Sequence, residues 1–382
     1  MTAESPETPA LSYVVPTVGG PPHLAECLES IYRDASETAV PAELIVVWQE
    51  PSAAAHGPVN DRDQRADGPA SFRVLAERLA ADHPAAFGGA PRLVQFPRPA
   101  GFARAANAGI AASLGNWIAL VNDDAVLETG WTETLLEALR ASAGADPRAS
   151  PNFRVAAAQG INLLPAGPDE EVRTDGAGLA WNSRWQAVQV DRGATAPPPD
   201  GPPTPVYGVS ATAALYRRDA LADVSPGSGQ LRPFNERLDS YYEDVELADR
   251  LRRASYGAVL VRVARIQHAG ALSSRGRRAA RLRVRRIYCN RLLVLAARFG
   301  RSFWLRLPRF LFRDAVDLFR GGKGELPGDP RRPGLLDLLF AWSRAVRLLP
   351  RFAGFGRPQS TWVPAVDPGP GRNSGPDDGV LQ

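Results

Sequence analysis

GNWIALVNDDAVLETGW, residues 115–131, takes an apolar run of buried-strand length straight into Asn122, Asp123 and Asp124. Working outward, GFARAANAGIAASL (101–114) reads as a helix entered through a glycine, and PRLVQFPRP (91–99) as a strand before it. Nearer the start, LSYVVPTVGG (11–20) is a β-branched run closed by Pro16 and two glycines. PHLAECLESIYRDA (22–35) then spaces Leu24, Cys27, Leu28 and Ile31 as a helix does, and AELIVVWQEP (42–51) is a second buried strand. SFRVLAERLAAD (71–82) and WTETLLEALRAS (131–142) add helices. Strands alternating with helices imply an α/β fold with a mostly parallel sheet flanked by helices. Such sheets gather ligands at the carboxyl ends of their strands, where Asp123 and Asp124 fall.

From residue 153, FRVAAAQGINLLP reads as a strand, and a loop-rich region follows to Pro205, with APPPDGPPTP (196–205) as a flexible surface connection. VYGVSATAALYRRDAL (206–221) is a strand and turn leading into a helix. YYEDVELADRLRRASYG (241–257) is a helix stopped by Gly257, and AVLVRVARIQHAG (258–270) is a strand ending near His268. RRIYCNRLLVLAARFGRSFWLRLPRFLFRDAVDLFR (285–320) gives two amphipathic stretches separated near Gly300 and Pro308. Residues 1–10 and 358–382 have a disordered composition.

The 382 residues carry a formal charge of +4, with arginines crowded between Arg250 and Arg320, a bias that suggests an anionic partner. Cys27 and Cys289 stand apart, without CxxC or zinc spacing, which favours a reducing cytosol. No basic and apolar leader opens the sequence, and nowhere do about eighteen apolar residues run together without charge. Neither a signal peptide nor a membrane span is therefore expected. The arginine-rich segment shows no nucleic-acid-binding motif or aromatic stacking platform, so nucleic acid is not expected as a partner.

Three features can carry chemistry. Asn122, Asp123 and Asp124 form an oxygen-donor cluster suited to Mg²⁺ or Mn²⁺ shared with a diphosphate, although paired aspartates also make turns and helix caps. Glu243, Asp244 and Glu246 open a helix, where carboxylates complement the dipole but where one of them can also act as a general base. His268 ends a strand, either as a structural residue or completing a metal site.

In their order along the chain these words resemble the family 2 glycosyltransferases, nucleotide-sugar enzymes of GT-A (Rossmann-like) fold, and lean to a rhamnosyltransferase-like subgroup. The resemblance runs from Leu11 to about Ser274, over SYVVPTVGGPPHLAECLESI, AELIVV, PRPAGFARAANAGIAASLGNWIALVNDDAVLETGW, VYGVSATAALYRRDAL and FNERLDSYYEDVELADRLRRASYGAVLVRVARIQHAGALSS. It implies a glycosyltransferase domain over 11–274, with 275–357 as a basic amphipathic helical extension. By that resemblance Asn122, Asp123 and Asp124 stand at the Asp-x-Asp position, with Asp124 the foremost metal contact and Asn122 a weaker one. Asp244 stands at the catalytic base with Glu243 beside it, and His268 at a metal or diphosphate ligand. Arg104 and Asn107 stand near the nucleotide, and Pro16 and Thr17 in the first nucleotide loop.

One departure touches base recognition. The family usually has an aspartate after its second strand, whereas VVWQEPS (46–52) puts Trp48 there and leaves Gln49, Glu50 or Ser52 to take its part. The implied reaction is inverting transfer from a nucleotide-diphosphate sugar to a hydroxyl of a glycan or lipid-linked saccharide, assisted by Mg²⁺ or Mn²⁺. Its setting would be cell envelope polysaccharide synthesis, in the cytoplasm and peripherally on the inner face of the plasma membrane. The C-terminal helices would meet anionic headgroups, with Trp304, Phe310 and Phe312 turned to the acyl region. A polyprenyl-phosphate sugar synthase and a catalytically degenerate saccharide-binding domain are the alternatives.

Overall fold

The computed structural model describes residues 9–20, 23–51, 68–142, 154–167, 169–227, 229–270, 277–319 and 334–352. Most of the leader, Ser52, the boundary at 274/275 and the tail lie outside the described residues. The chain opens with β1 (Leu11–Val18), α1 (His23–Glu37), β2 (Ala42–Gln49), α2 (Pro69–Asp82), β3 (Arg92–Phe96), α3 (Phe102–Ala112) and β4 (Trp117–Val121). It continues through β5 (Ala125–Leu127), α4 (Trp131–Ser142), β6 (Arg154–Leu163), β7 (Thr174–Gly176), β8 (Leu179–Trp181), β9 (Ala187–Gln189) and β10 (Thr204–Val206). Then come β11 (Ala213–Arg217), α5 (Arg218–Val224), α6 (Glu243–Arg253), β12 (Tyr256–His268), α7 (Arg277–Phe299), a 3-10 turn at Gly300–Ser302, α8 (Phe303–Phe319) and α9 (Leu335–Phe352).

The main sheet runs β10-β12-β6-β11-β4-β1-β2-β3. β1 pairs in parallel with β2 and β4, β2 with β3, and β6 with β12, whereas β11 runs against both β4 and β6. Six strands therefore point one way (β1–β4, β6 and β12), as the alternating sequence predicts. Helices cover both faces because each buried strand offers side chains alternately to either side. From β1, Tyr13 and Val15 enter a core with α1, α2 and α4, while Val14 enters a second core with α3, α5 and α6.

A third core joins the β8–β9 hairpin and the start of α6 to α7, α8 and α9, through Trp181, Leu238, Tyr242, Leu293, Phe310 and Ala341 among others. Two expectations change here. Pro308 does not separate helices: it lies inside α8, which runs through it, and the break comes at Gly300, where φ is 53°. Phe310 does not face outward. It is 1 % exposed and stacks on Phe299, because it falls on the opposite side of α8 from Trp304 and Phe312, which are 59 % and 69 % exposed. The region read as loops also holds β7, β8, β9 and β10, three residues each, too short for periodicity to reveal.

Candidate active site

The carboxyl end of β4 delivers Asn122, Asp123 and Asp124, and antiparallel pairing of β5 with β12 sets His268 opposite Ala125. The backbone N–H of Ala269 donates to Asp124 O at 3.0 Å, fixing the two strand ends together. His268 Nε2 then lies 3.3 Å from Asp124 Oδ1, while its Nδ1 meets Asp175 Oδ2 at 2.7 Å. Arg192 lies 3.4 Å from the other oxygen of Asp175. Burial alone would lower the His268 pKa, but the hydrogen bonds and charges of Asp124 and Asp175 outweigh it and push it up to about 9. Burial would raise Asp175; its hydrogen bond to His268 and the two nearby cations hold it below the ordinary carboxylate value. A carboxylate on Nδ1 fixes the orientation of the ring, and an imidazole held in this way can ligate a metal ion only once Nε2 gives up its proton.

Asp123 turns to the ends of the first strands. Burial and the charge of Asp124 push its pKa up to about 6, against the Thr17 hydroxyl and the Val18 amide, which favour its anion. Thr17 Oγ1 is buried without a hydrogen bond of normal geometry. Pro16 pairs with Val47 in the β1–β2 ladder. Trp48 is 2 % exposed and belongs to the core with α1 and α2, its Nε1 donating to Glu50 Oε1 at 3.1 Å. Gln49 is already occupied: its Nε2 donates to Thr17 O at 3.3 Å and its Oε1 accepts from Ala100 N at 2.8 Å. Of the residues offered in place of the usual aspartate, Glu50 is the half-buried one with a carboxylate.

Arg104 and Asn107 share α3 but differ in setting. Arg104 is exposed, with its guanidinium 5.7 Å from the Phe96 ring centroid. Asn107 is buried and exchanges hydrogen bonds with both backbone groups of Phe234, at 2.8 and 2.9 Å, and donates to Glu236 at 3.1 Å. It holds the loop ahead of α6.

Asp244 sits in the first turn of α6, half-buried, accepting from Val245 N at 2.8 Å and Ala211 N at 3.5 Å. Burial raises its pKa, and the adjacent Glu243, also raised by burial and by Asp244, shares its acidity. Glu243 Oε2 is buried without a hydrogen-bond partner. One short loop ties the two carboxylate groups together: Ala211 donates to Asp244, and Thr212 O accepts from Asn122 N at 2.8 Å. Gln159 fixes that loop by accepting from Ser210 N at 2.6 Å.

The approach to α6 is strained. Asp239, Tyr241 and Tyr242 have φ of 65°, 72° and 72°, a left-handed region that costs a residue with a Cβ about 1–2 kcal/mol each. Strain of this kind persists only where its surroundings enforce it.

The structure thus brings Asn122, Asp123, Asp124 and His268 together at neighbouring strand ends and links them through residues 210–212 to Asp244. Sequence reading missed Asp175, Arg192 and the strained turn. Asp175 lies in a three-residue strand inside a polar stretch, with no motif to mark it. Among the described residues no group of three or more His, Cys, Asp or Glu side chains is arranged to hold a metal ion by itself. Asp124 and His268 carry donor atoms suited to a divalent ion and would need others to complete its shell.

Residues 69–148, from α2 to just past α4, match the family model described as Glycosyl transferase family 2. The matched segment spans Arg104, Asn107 and the Asn122–Asp124 cluster. No curated protein sequence matches the chain. Among solved structures it resembles a mannosyltransferase from Pyrobaculum calidifontis, in complex with GDP-Man and Mn²⁺, at 16% identity and a TM-score of 0.43, covering 91% of this chain and 83% of that one. It also resembles GalNAc-T7 with UDP, GalNAc and Mn²⁺, at 11% identity and a TM-score of 0.47, covering 82% of this chain and 58% of that one.

Proposed function

We propose that the chain is an inverting glycosyltransferase that moves a sugar from a nucleotide-diphosphate donor to a hydroxyl of a glycan or lipid-linked saccharide, in the rhamnosyltransferase-like branch of its family. The observation that carries this reading is the His268 imidazole held between Asp124 and Asp175 at the strand ends, with Asp244 joined to the same ends through residues 210–212. Asp124 and His268, with Asn122 as a neutral neighbour, would hold Mg²⁺ or Mn²⁺. That ion would supply Lewis-acid stabilisation of the leaving diphosphate.

Asp244 takes the proton of the acceptor hydroxyl as its oxygen bonds to the anomeric carbon. The bond from that carbon to the diphosphate oxygen breaks, and its electron pair leaves with the nucleoside diphosphate. A single displacement inverts the anomeric centre. Pro16, Thr17, Glu50, Arg104, Asn107, Asp123 and Glu243 surround the donor in this reading, Asn107 by holding the loop before α6. Positioning and preorganised charge carry most of the acceleration.

The acceptor points to a membrane surface. Trp304, Leu305 and Phe312 on α8, and Leu336, Leu339 and Phe340 on α9, are exposed apolar residues, with Arg306, Arg309 and Arg347 exposed beside them. Among the described residues no helix is long and apolar enough to cross a membrane. An interfacial seat on the inner leaflet, during cell envelope polysaccharide synthesis, fits apolar faces flanked by arginine.

Incubating the protein with a panel of nucleotide-diphosphate sugars and Mn²⁺ tests the activity, reading released nucleoside diphosphate. Proton NMR of the transferred sugar reads the anomeric outcome. Retention of configuration would overturn the single displacement, and release of no nucleotide from any donor would overturn the enzyme.

A further inference from the structure

The strained turn that delivers Glu243 and Asp244 is held from outside the sheet domain. Asn290, on α7, is 0 % exposed, and its Nδ2 donates to the carbonyls of Leu238, Ser240 and Tyr241 at 2.8, 3.0 and 2.8 Å. One helical turn earlier on the same helix, Arg286 pairs with the Asp239 carboxylate. Spacing of i and i+4 puts both side chains on one face of α7. Between them they reach Leu238, Asp239, Ser240 and Tyr241, two of which have positive φ.

The same turn is fastened on two other sides. Tyr242 Oη accepts from Ala187 N at 3.0 Å, which ties it to the β8–β9 hairpin. Asp239 O accepts from Ala103 N at 3.1 Å at the start of α3, a helix that packs on β1 and β2. Without the α7 contacts, the carbonyls of Ser240 and Tyr241 would lose the Asn290 amide, that of Leu238 would keep the Ser240 N–H, and the left-handed conformations would relax.

We infer that α7 is a positioning element of the catalytic site, and that Asn290 and Arg286 are positioning residues that set where Asp244 stands. This rests on the reading of Asp244 as the base. It makes the C-terminal extension part of the catalytic apparatus as well as a route to a surface. A displacement of about 1 Å in a catalytic group can lower turnover on the order of a hundredfold.

The test compares full-length wild type with Asn290→Ala, Asn290→Ser and Arg286→Gln. Expected for Asn290→Ala is a fall in kcat of about 10–100-fold with donor KM within about twofold. Amide exchange should quicken in 238–246 and stay unchanged in β1, β2 and β4. Arg286→Gln and Asn290→Ser should show smaller changes of the same kind, and they decide the matter if Asn290→Ala does not fold. Folded variants with wild-type kcat and unchanged exchange at 238–246 overturn the inference, as does a loss of protection spread evenly over the sheet. If Asp244→Asn abolishes transfer while the α7 variants transfer normally, this inference falls and the proposed function stands. If wild type releases no nucleotide, the proposed function falls, and exchange confined to 238–246 still decides for or against the clamp.

Discussion

Asp244 is the residue on which turnover should depend most. Asp244→Asn keeps shape and removes basicity, so kcat should fall about 10²–10⁴-fold while calorimetric donor binding persists. Because burial raises Asp244 above its usual range, the acid limb of kcat against pH should lie above pH ~4, the ordinary aspartate value. His268 allows a second check. Its folded pKa of about 9 exceeds the unfolded 6.5, so its contribution is fully present below pH 6.5 and disappears as pH rises through 9. With a chelator present, the melting temperatures of wild type and His268→Gln should differ at pH 6 and converge above pH 9. Under the proposed metal site, Asp175→Asn should weaken Mn²⁺ binding about 10–100-fold with the fold intact, since Asp175 holds Nδ1 of His268.

At the scale of the element, a glycine sets the start of α3 and a buried ion pair joins α7 to α8. Gly101 begins α3 at φ 85°, and a Cβ there would stand 1.8 Å from Asp239 Oδ1. Gly101→Ala should therefore destabilise by about 1–3 kcal/mol in urea titration and disturb the turn before α6. Arg291 of α7 and Asp314 of α8 form an ion pair 1 % and 0 % exposed, and Trp342 of α9 donates to the same carboxylate at 3.1 Å. Asp314→Ala leaves the guanidinium buried without its counter-charge and should destabilise by about 3–5 kcal/mol in the same titration. A wild-type midpoint would show that solvent or rearrangement replaces the carboxylate.

For the molecule as a whole, the third core means that α7, α8 and α9 are not an appendage. Their buried faces close over Trp181, Leu238 and Tyr242, while the opposite faces of α8 and α9 leave leucine, phenylalanine and tryptophan exposed. Full-length protein should float with anionic liposomes at low salt, and Leu336→Ser with Phe340→Ser should reduce the floated fraction severalfold at unchanged melting temperature. No flotation of wild type would remove the membrane surface from the proposal. Arginines beside the apolar stripe should make binding fall as salt rises.

The sequence by itself determined the alternation of strand and helix and the arrival of Asn122, Asp123 and Asp124 at a strand end, because hydrophobic periodicity and chain order are local properties. It also placed Asp244 at the head of an acidic helix and His268 at the end of β12. Tertiary structure alone decided that Asp175 orients His268, that Trp48 is core and Gln49 a tie between loops, and that Asn290 reaches back to a turn fifty residues earlier. It also turned Phe310 inward and Trp304 outward on one amphipathic helix. Each of these depends on contacts between segments far apart in the chain. A side chain's partner there is set by how sheets and helices pack, and no spacing within the sequence encodes it.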